Sequence, residues 1–370
     1  MAENERREPG RSTEDPVYEP LGPGWNRGGD GPDDDAGRAS GPSVLRGALR
    51  AAAEDWLMSG GSVRFWLAAA AVPVATSVAA WVLLAAVLVP QTDPGLAGGR
   101  FWAYLLAAAF IPAASSLLAV HWGITGIRRL GPGQPLAAVD PGPWASFFGV
   151  VARGAVVAAL TLVILLGQAW IAGVSGEVAA ASAGVVALEF AVFGAIGAGA
   201  SAMSRRRLWV AIVAWGVAGV LVVVNVVAVV ALLPAVRADE PVSAVFNIVR
   251  GPGGTLEAYE CSPLLSGVAE VPHTERIMWM VAPNPVVMFL MLADDGRGNG
   301  EGPGWMRGAL QEAADGLQVP CVNAEPRARD AARMPLEVIG LGIQAGLAGA
   351  FLAGGQLATR RRQAQQGESV

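Results

Sequence analysis

The chain has 370 residues, of which 53% are hydrophobic and only 15% charged, with a formal net charge of −5. A soluble domain carries about 25% charged residues, and a nucleic-acid surface needs clustered cations, so this composition speaks against both. All 26 cations are arginine and none is lysine, which reads as GC-biased coding, so the placement of the arginines is informative and their number is not.

Residues 1–42 are rich in Pro, Gly, Glu, Asp and Arg, with Asp33, Asp34 and Asp35 in a run. Such a segment buries too little apolar surface to fold and lacks the basic-then-apolar order of a signal peptide. It is expected to be a disordered cytoplasmic tail. Residues 43–62 are expected to form an amphipathic helix flat on the inner leaflet. Ser43 caps it, and Leu45, Leu49, Ala53, Trp56 and Leu57 recur near helical spacing opposite Arg46, Arg50 and Glu54.

Candidate membrane spans follow at Val63 to Val89, Phe101 to Ile127, Phe147 to Ala172, Val178 to Met203, Leu208 to Val236 and Leu336 to Ala358. A helix needs roughly 20 apolar residues to cross ~30 Å of hydrocarbon. Arg46, Arg50 and Arg64 precede the first span, Arg128 and Arg129 follow the second, Arg205 to Arg207 separate the fourth and fifth, and Arg360 to Arg362 follow the sixth. The short loops on the other side hold only Arg100. By the positive-inside rule both termini are cytoplasmic. The expected fold is therefore an all-α polytopic membrane protein: five spans within residues 63–236, a sixth at 336–358, and a cytoplasmic tail at 359–370.

The same rule leaves residues 237–335 outside as an extracellular excursion between the fifth and sixth spans. Cys261 and Cys321, the only two cysteines, both fall there. An oxidising exterior favours a disulfide between them, and two thiols with only His273 nearby make a poor zinc site. Within the excursion, Ile277 to Leu292 is an apolar run broken by Pro283, Asn284 and Pro285. Proline lacks an amide donor, so the run is expected to form two short re-entrant half-helices packed against protein.

Enzymatic signatures are lacking. Without lysine there is no phosphate-binding loop of the Gly-Lys-Ser/Thr kind, and neither His121 nor His273 belongs to a His-Glu-x-x-His pattern. Gly199-Ala200-Ser201-Ala202 imitates the serine motif of rhomboid proteases, but no histidine lies in the later spans to serve as its base. Gly194, Gly197, Gly199 and Ser201 read instead as a small-residue face for close helix packing. The polar residues inside the spans are His121, Gln168, Glu189, Asn225 and Gln344, each costly in hydrocarbon and expected to face protein or water. Glu189, in mid-span, is either part of a transport path or proton relay, or makes an interhelical hydrogen bond or packs toward His121. Arg153 is expected to snorkel to the inner surface.

The order of these parts resembles the permease subunits of type-2 ATP-binding-cassette exporters over about residues 42–360. Pro42 to Arg50 looks like their amphipathic opening segment, and Ala172 to Val178 like their short external turn. Trp279-Met280-Val281-Ala282-Pro283-Asn284-Pro285 resembles an aromatic-apolar-Pro-Asn-Pro motif of actinobacterial members. The loop after the second span departs from the family: the members' charged helix that receives the ATPase is replaced by Arg128-Arg129-Leu130-Gly131-Pro132-Gly133-Gln134-Pro135.

The resemblance implies a non-catalytic, multi-pass subunit of a bacterial plasma membrane. Its partners are a cytoplasmic ATPase and a second permease chain, and ATP binds to the ATPase, leaving this chain without a cofactor. It implies further that Gln168, Glu189 and Asn225 border the transport path, that Arg128 and Arg129 contact the ATPase, and that Pro283, Asn284 and Pro285 gate the exit. The competing expectations are a membrane-anchored assembly or sensing protein with an extracellular binding loop, and a secondary transporter using Glu189. The latter lacks paired repeats with matching broken helices.

Overall fold

Six helical segments are long and apolar enough to cross a membrane: Val63–Ala86, Gly99–Gly126, Gly142–Ala172, Glu177–Met203, Arg207–Val236 and Leu336–Gln365. They fit a multi-pass membrane protein. The computed structural model describes residues 42–87, 96–126, 142–204, 206–250, 256–293, 304–327 and 334–367. The expected N-terminal tail and the loop carrying Arg128 and Arg129 lie outside the described residues.

Helix α1 (Pro42–Gly60) precedes α2 (Val63–Val87), α3 (Leu96–Gly126), α4 (Gly142–Ala172) and α5 (Glu177–Met203). The fifth segment is not one continuous helix. It runs as α6 (Arg207–Gly219), a π-helical turn (Val220–Val224), α7 (Asn225–Leu232) and a 3-10 turn (Leu233–Val236). The last helix, α10 (Leu336–Gly367), continues past Ala358 into residues expected to be tail. Nothing in Thr359 to Gln366 breaks a helix, and Gln and Arg are good helix formers.

Residues 44–370 make one compact unit in which α5 is the central helix, packed against α3, α4 and α10. Small residues permit this. A Cβ on Gly123 would lie 2.8 Å from the Gly194 carbonyl oxygen, and one on Gly197 would lie 2.7 Å from that of Val120. The α3–α5 crossing therefore brings backbone nearly onto backbone, the expected use of small residues between membrane helices. Beside it, Trp122 bridges Phe65 of α2 and Phe190 of α5, with ring centroids 5.7 and 5.6 Å away. Ser201 donates to the Ala198 carbonyl within its own helix at 2.8 Å.

The excursion corrects the all-α expectation, because it contains a four-stranded sheet of order β2-β1-β3-β4. Strands β1 (Arg237–Arg250) and β2 (Leu256–Pro272) form a long antiparallel ribbon, and β3 (Cys321–Val322) and β4 (Glu325–Pro326) form a short hairpin at its base. The ribbon is rich in β-branched residues from Val242 to Val249, the composition that suits a pleated surface. Its register shifts between Ser243 and Val245, where Pro263 leaves β2 one ladder donor short. The Cys261–Cys321 disulfide forms as expected, with Cα atoms 5.7 Å apart, and fastens β2 to β3.

After β2 come two 3-10 turns (Thr274–Arg276 and Met278–Met280) and α8 (Pro285–Leu292), then α9 (Gly304–Asp315). Of the two half-helices expected on either side of Pro283, only the second is an α-helix. The first is replaced by the turns, since Pro283 lacks the amide that would continue their hydrogen bonding. Helix α8 packs among α3, α5 and α10 and buries Val287, Met288, Phe289 and Met291.

Candidate functional site

Four buried polar residues of the bundle, Ser116, Glu189, Asn225 and Gln344, gather where the Pro283-Asn284-Pro285 turn inserts. Glu189 lies about 18 Å along α5 from its first residue, Gln344 about 12 Å along α10, and Asn225 about 16 Å before the end of its broken helix, at ~1.5 Å per residue. The turn bonds Gln344 and Asn225 directly and meets Glu189 through Gln344, so irregular backbone sits deep inside the bundle. Backbone there survives only if protein groups satisfy its polar atoms.

Gln344 satisfies the first of them. Its Nε2 donates to Glu189 Oε1 and to the Pro283 carbonyl, each at 2.9 Å. Ser116 Oγ lies 3.3 Å from the other carboxylate oxygen of Glu189 and 2.9 Å from the Pro112 carbonyl, which compete for its one proton. Glu189 and Gln344 are completely buried. Among the described residues no cation pairs with Glu189, and Gln344 Oε1 is buried without a partner.

Asn284 satisfies the rest. Its Oδ1 accepts the Val286 amide at 2.9 Å and so caps α8. Its Nδ2 donates to the Val222 carbonyl at 2.8 Å, the Leu221 carbonyl at 3.1 Å and Asn225 Oδ1 at 3.2 Å. Asn225 Nδ2 also reaches the Leu221 carbonyl, at 2.9 Å. Both carbonyls belong to the π turn, where the shifted ladder frees acceptors for side chains. Close packing holds the assembly from the far side, since a Cβ on Gly340 would collide with the Ala282 backbone.

The residues expected to border a path are thus divided. Asn225 and Glu189 belong to one hub, linked through Asn284, Pro283 and Gln344. Gln168 stands apart, half-buried about 6 Å from the end of α4, with its Oε1 buried and unpartnered. His121 is exposed and contributes nothing to Glu189. The expected gate residues Pro283, Asn284 and Pro285 are all buried.

A second constellation corrects another expectation. Arg153 is buried and does not snorkel; it forms an ion pair with Asp55 of α1. Gly149, one turn earlier on α4, leaves room for that carboxylate: a Cβ there would lie 3.2 Å from Asp55 Oδ2. The pairing also turns α1. Ala48 and Ala52 are buried while Leu49 and Leu57 are exposed, so the helix presents its small face to the bundle and not the leucine stripe. Sequence reading missed Asp55; its signal was a lone acid on the face that also carries Ala48 and Ala52.

In the excursion, His273 is held between two carboxylates, with Nδ1 2.9 Å from Glu275 Oε1 and Nε2 3.1 Å from Glu240 Oε1. Arg327 pairs with the other oxygen of Glu240 at 3.2 Å and donates to the Gly316 carbonyl at 2.8 Å. The cluster binds the ribbon base to the end of α9, a structural role. No family model matches the chain, and neither a curated protein nor a solved structure matches it.

Proposed function

We propose that the chain is the membrane-spanning permease subunit of an ATP-binding-cassette exporter. It lies in a bacterial plasma membrane with both ends cytoplasmic, is paired with a second permease chain, and is driven by a separate ATPase subunit. The observation that carries the reading is a mechanical connection through the bundle. At one end, α1 is fastened to α4 by the Asp55–Arg153 pair. At the other, the excursion is fastened to α5, α10 and the broken fifth segment through Glu189, Gln344, Asn225 and Asn284.

In this reading the ATPase pushes on α1, and the ion pair passes the displacement to α4. Helix α5 transmits it to the Pro283–Asn284 turn, because α5 touches both α4 and α8. The π turn suits such motion: its backbone bonds are already shifted, and it places two neighbouring carbonyls, Leu221 and Val222, within reach of the Asn284 amide. Photo-crosslinking from α1 tests this reading. A photoreactive residue at exposed Arg50 or Glu54 traps a nucleotide-binding subunit in native membranes; crosslinks to lipid alone at both positions contradict it.

One observation favours the second reading, an assembly or sensing protein. The disulfide-fastened ribbon exposes Phe246 (82%), Leu264 and Val268, which suits contact with another protein.

A further inference from the structure

We propose that Glu189, Gln344, Ser116 and the Pro283 carbonyl form a binding site for a small monovalent cation, sodium by its chemistry. The inference goes beyond the exporter reading and does not rest on it. Four elements meet around the Glu189 carboxylate: the Gln344 amide of α10 joins its Oε1 to the Pro283 carbonyl of the inserted turn, and the Ser116 hydroxyl of α3 lies against its Oε2.

The charge and bonding of the cluster both point to a missing positive partner. A carboxylate in the interior is costly unless a cation or a proton balances it. Among the described residues, no arginine or histidine is paired with Glu189. Gln344 Nε2 instead stands between the carboxylate and the Pro283 carbonyl, bonded to both at 2.9 Å, while its Oε1 is buried with nothing to accept from. Terminal amide torsions are soft and roughly two-fold, so rotation of this amide exchanges its nitrogen and oxygen. The rotated oxygen faces a carboxylate oxygen and a carbonyl, and a cation among the three, or a proton on Glu189, is what would hold it there; the salt titration below separates the two. The empty site is then bridged by the Gln344 NH2 group, and the loaded site uses Gln344 Oε1 as a ligand.

The ligand set selects the class of ion. Every donor is a hard oxygen, which excludes soft transition metals. One carboxylate supplies one negative charge. Calcium takes about six to eight oxygens, usually with several carboxylates. A backbone carbonyl freed where a helix is broken, together with one acid, is the donor chemistry that broken membrane helices offer to sodium.

Thermal unfolding of the purified full-length chain, followed by tryptophan fluorescence in mild detergent, tests the site. Sodium chloride is titrated against choline chloride at constant ionic strength and pH. The expected result is a saturable rise of several degrees in the midpoint with sodium but not with choline. Glu189→Gln is expected to abolish the sodium increment, and Ser116→Ala to shift its half-saturation to higher sodium at least several-fold. The same midpoints in both salts for the unsubstituted chain overturn the proposal, as does an equal sodium increment in Glu189→Gln. If Glu189→Gln does not fold, the Ser116→Ala shift decides alone, and an unchanged half-saturation overturns the site. A sodium response in a chain that never associates with an ATPase leaves the cation site standing and removes the exporter reading.

Discussion

Arg153, buried inside α4, is paired with Asp55, which reaches it from α1 across 98 residues of sequence. The pair is asymmetric: the Arg153 side chain is almost fully enclosed, whereas about a quarter of Asp55 is exposed. Removing one partner of a buried pair costs up to about 3–5 kcal/mol, and more when the charge that stays behind is the more enclosed one. Asp55→Asn is therefore expected to destabilise more than Arg153→Met. A double-mutant cycle on the thermal midpoint checks this; equal losses for the two single variants contradict it.

Asn284 is the donor on which the inserted turn depends. Asn284→Ala removes bonds to two π-turn carbonyls and to Asn225, and is expected to cost about 2–4 kcal/mol, since a buried acceptor left unmade costs ~1–3 kcal/mol. Asn284→Asp is expected to be worse, because it places an acceptor against three acceptors. Denaturation midpoints of the two variants give the order, and Asp being tolerated better than Ala refutes the bonding described.

The α3–α5 crossing depends on the absence of side-chain atoms. Gly123→Ala is expected to destabilise by about 1–3 kcal/mol through overpacking, since its Cβ meets backbone at 2.8 Å. Gly342→Ala on α10 meets nothing within 4 Å and is expected to be neutral or slightly stabilising, alanine being the better helix former. Comparison of the two midpoints separates packing from propensity.

The disulfide closes a loop of 60 residues, which on the chain-entropy model stabilises by roughly 4 kcal/mol. Paired Cys261→Ser and Cys321→Ser substitution is expected to loosen the sheet and leave the helices in place. Limited proteolysis reads this directly: cleavage accelerates between Arg237 and Arg327, with the helical fragments unchanged.

The six long apolar segments and the cysteine pairing are legible in the sequence, because length and hydropathy act locally and two unique cysteines have only each other to pair with. The sheet is less so. Pro241 and Pro263 obscure its strands, although the β-branched run from Val242 to Val249, followed by Gly251-Pro252-Gly253-Gly254, carries a hairpin signal. The hub is legible only in part. Glu189, Asn225 and Gln344 stand out as polar residues in apolar helices, but their joining through Asn284 depends on a π turn that no residue in Val220 to Val224 announces. Gln168 stands out equally and lies elsewhere, since polarity marks a residue as costly without saying which neighbour satisfies it.

The exporter reading requires that this chain be driven by another. The most direct measurement is affinity purification of the tagged protein from native membranes in mild detergent, with co-purifying chains identified and assayed for ATP hydrolysis. Stoichiometric recovery of a nucleotide-binding subunit that hydrolyses ATP is the expected result. Its reproducible absence, with the purified chain intact and monodisperse, contradicts the exporter reading and favours the assembly or sensing role of the disulfide-fastened sheet.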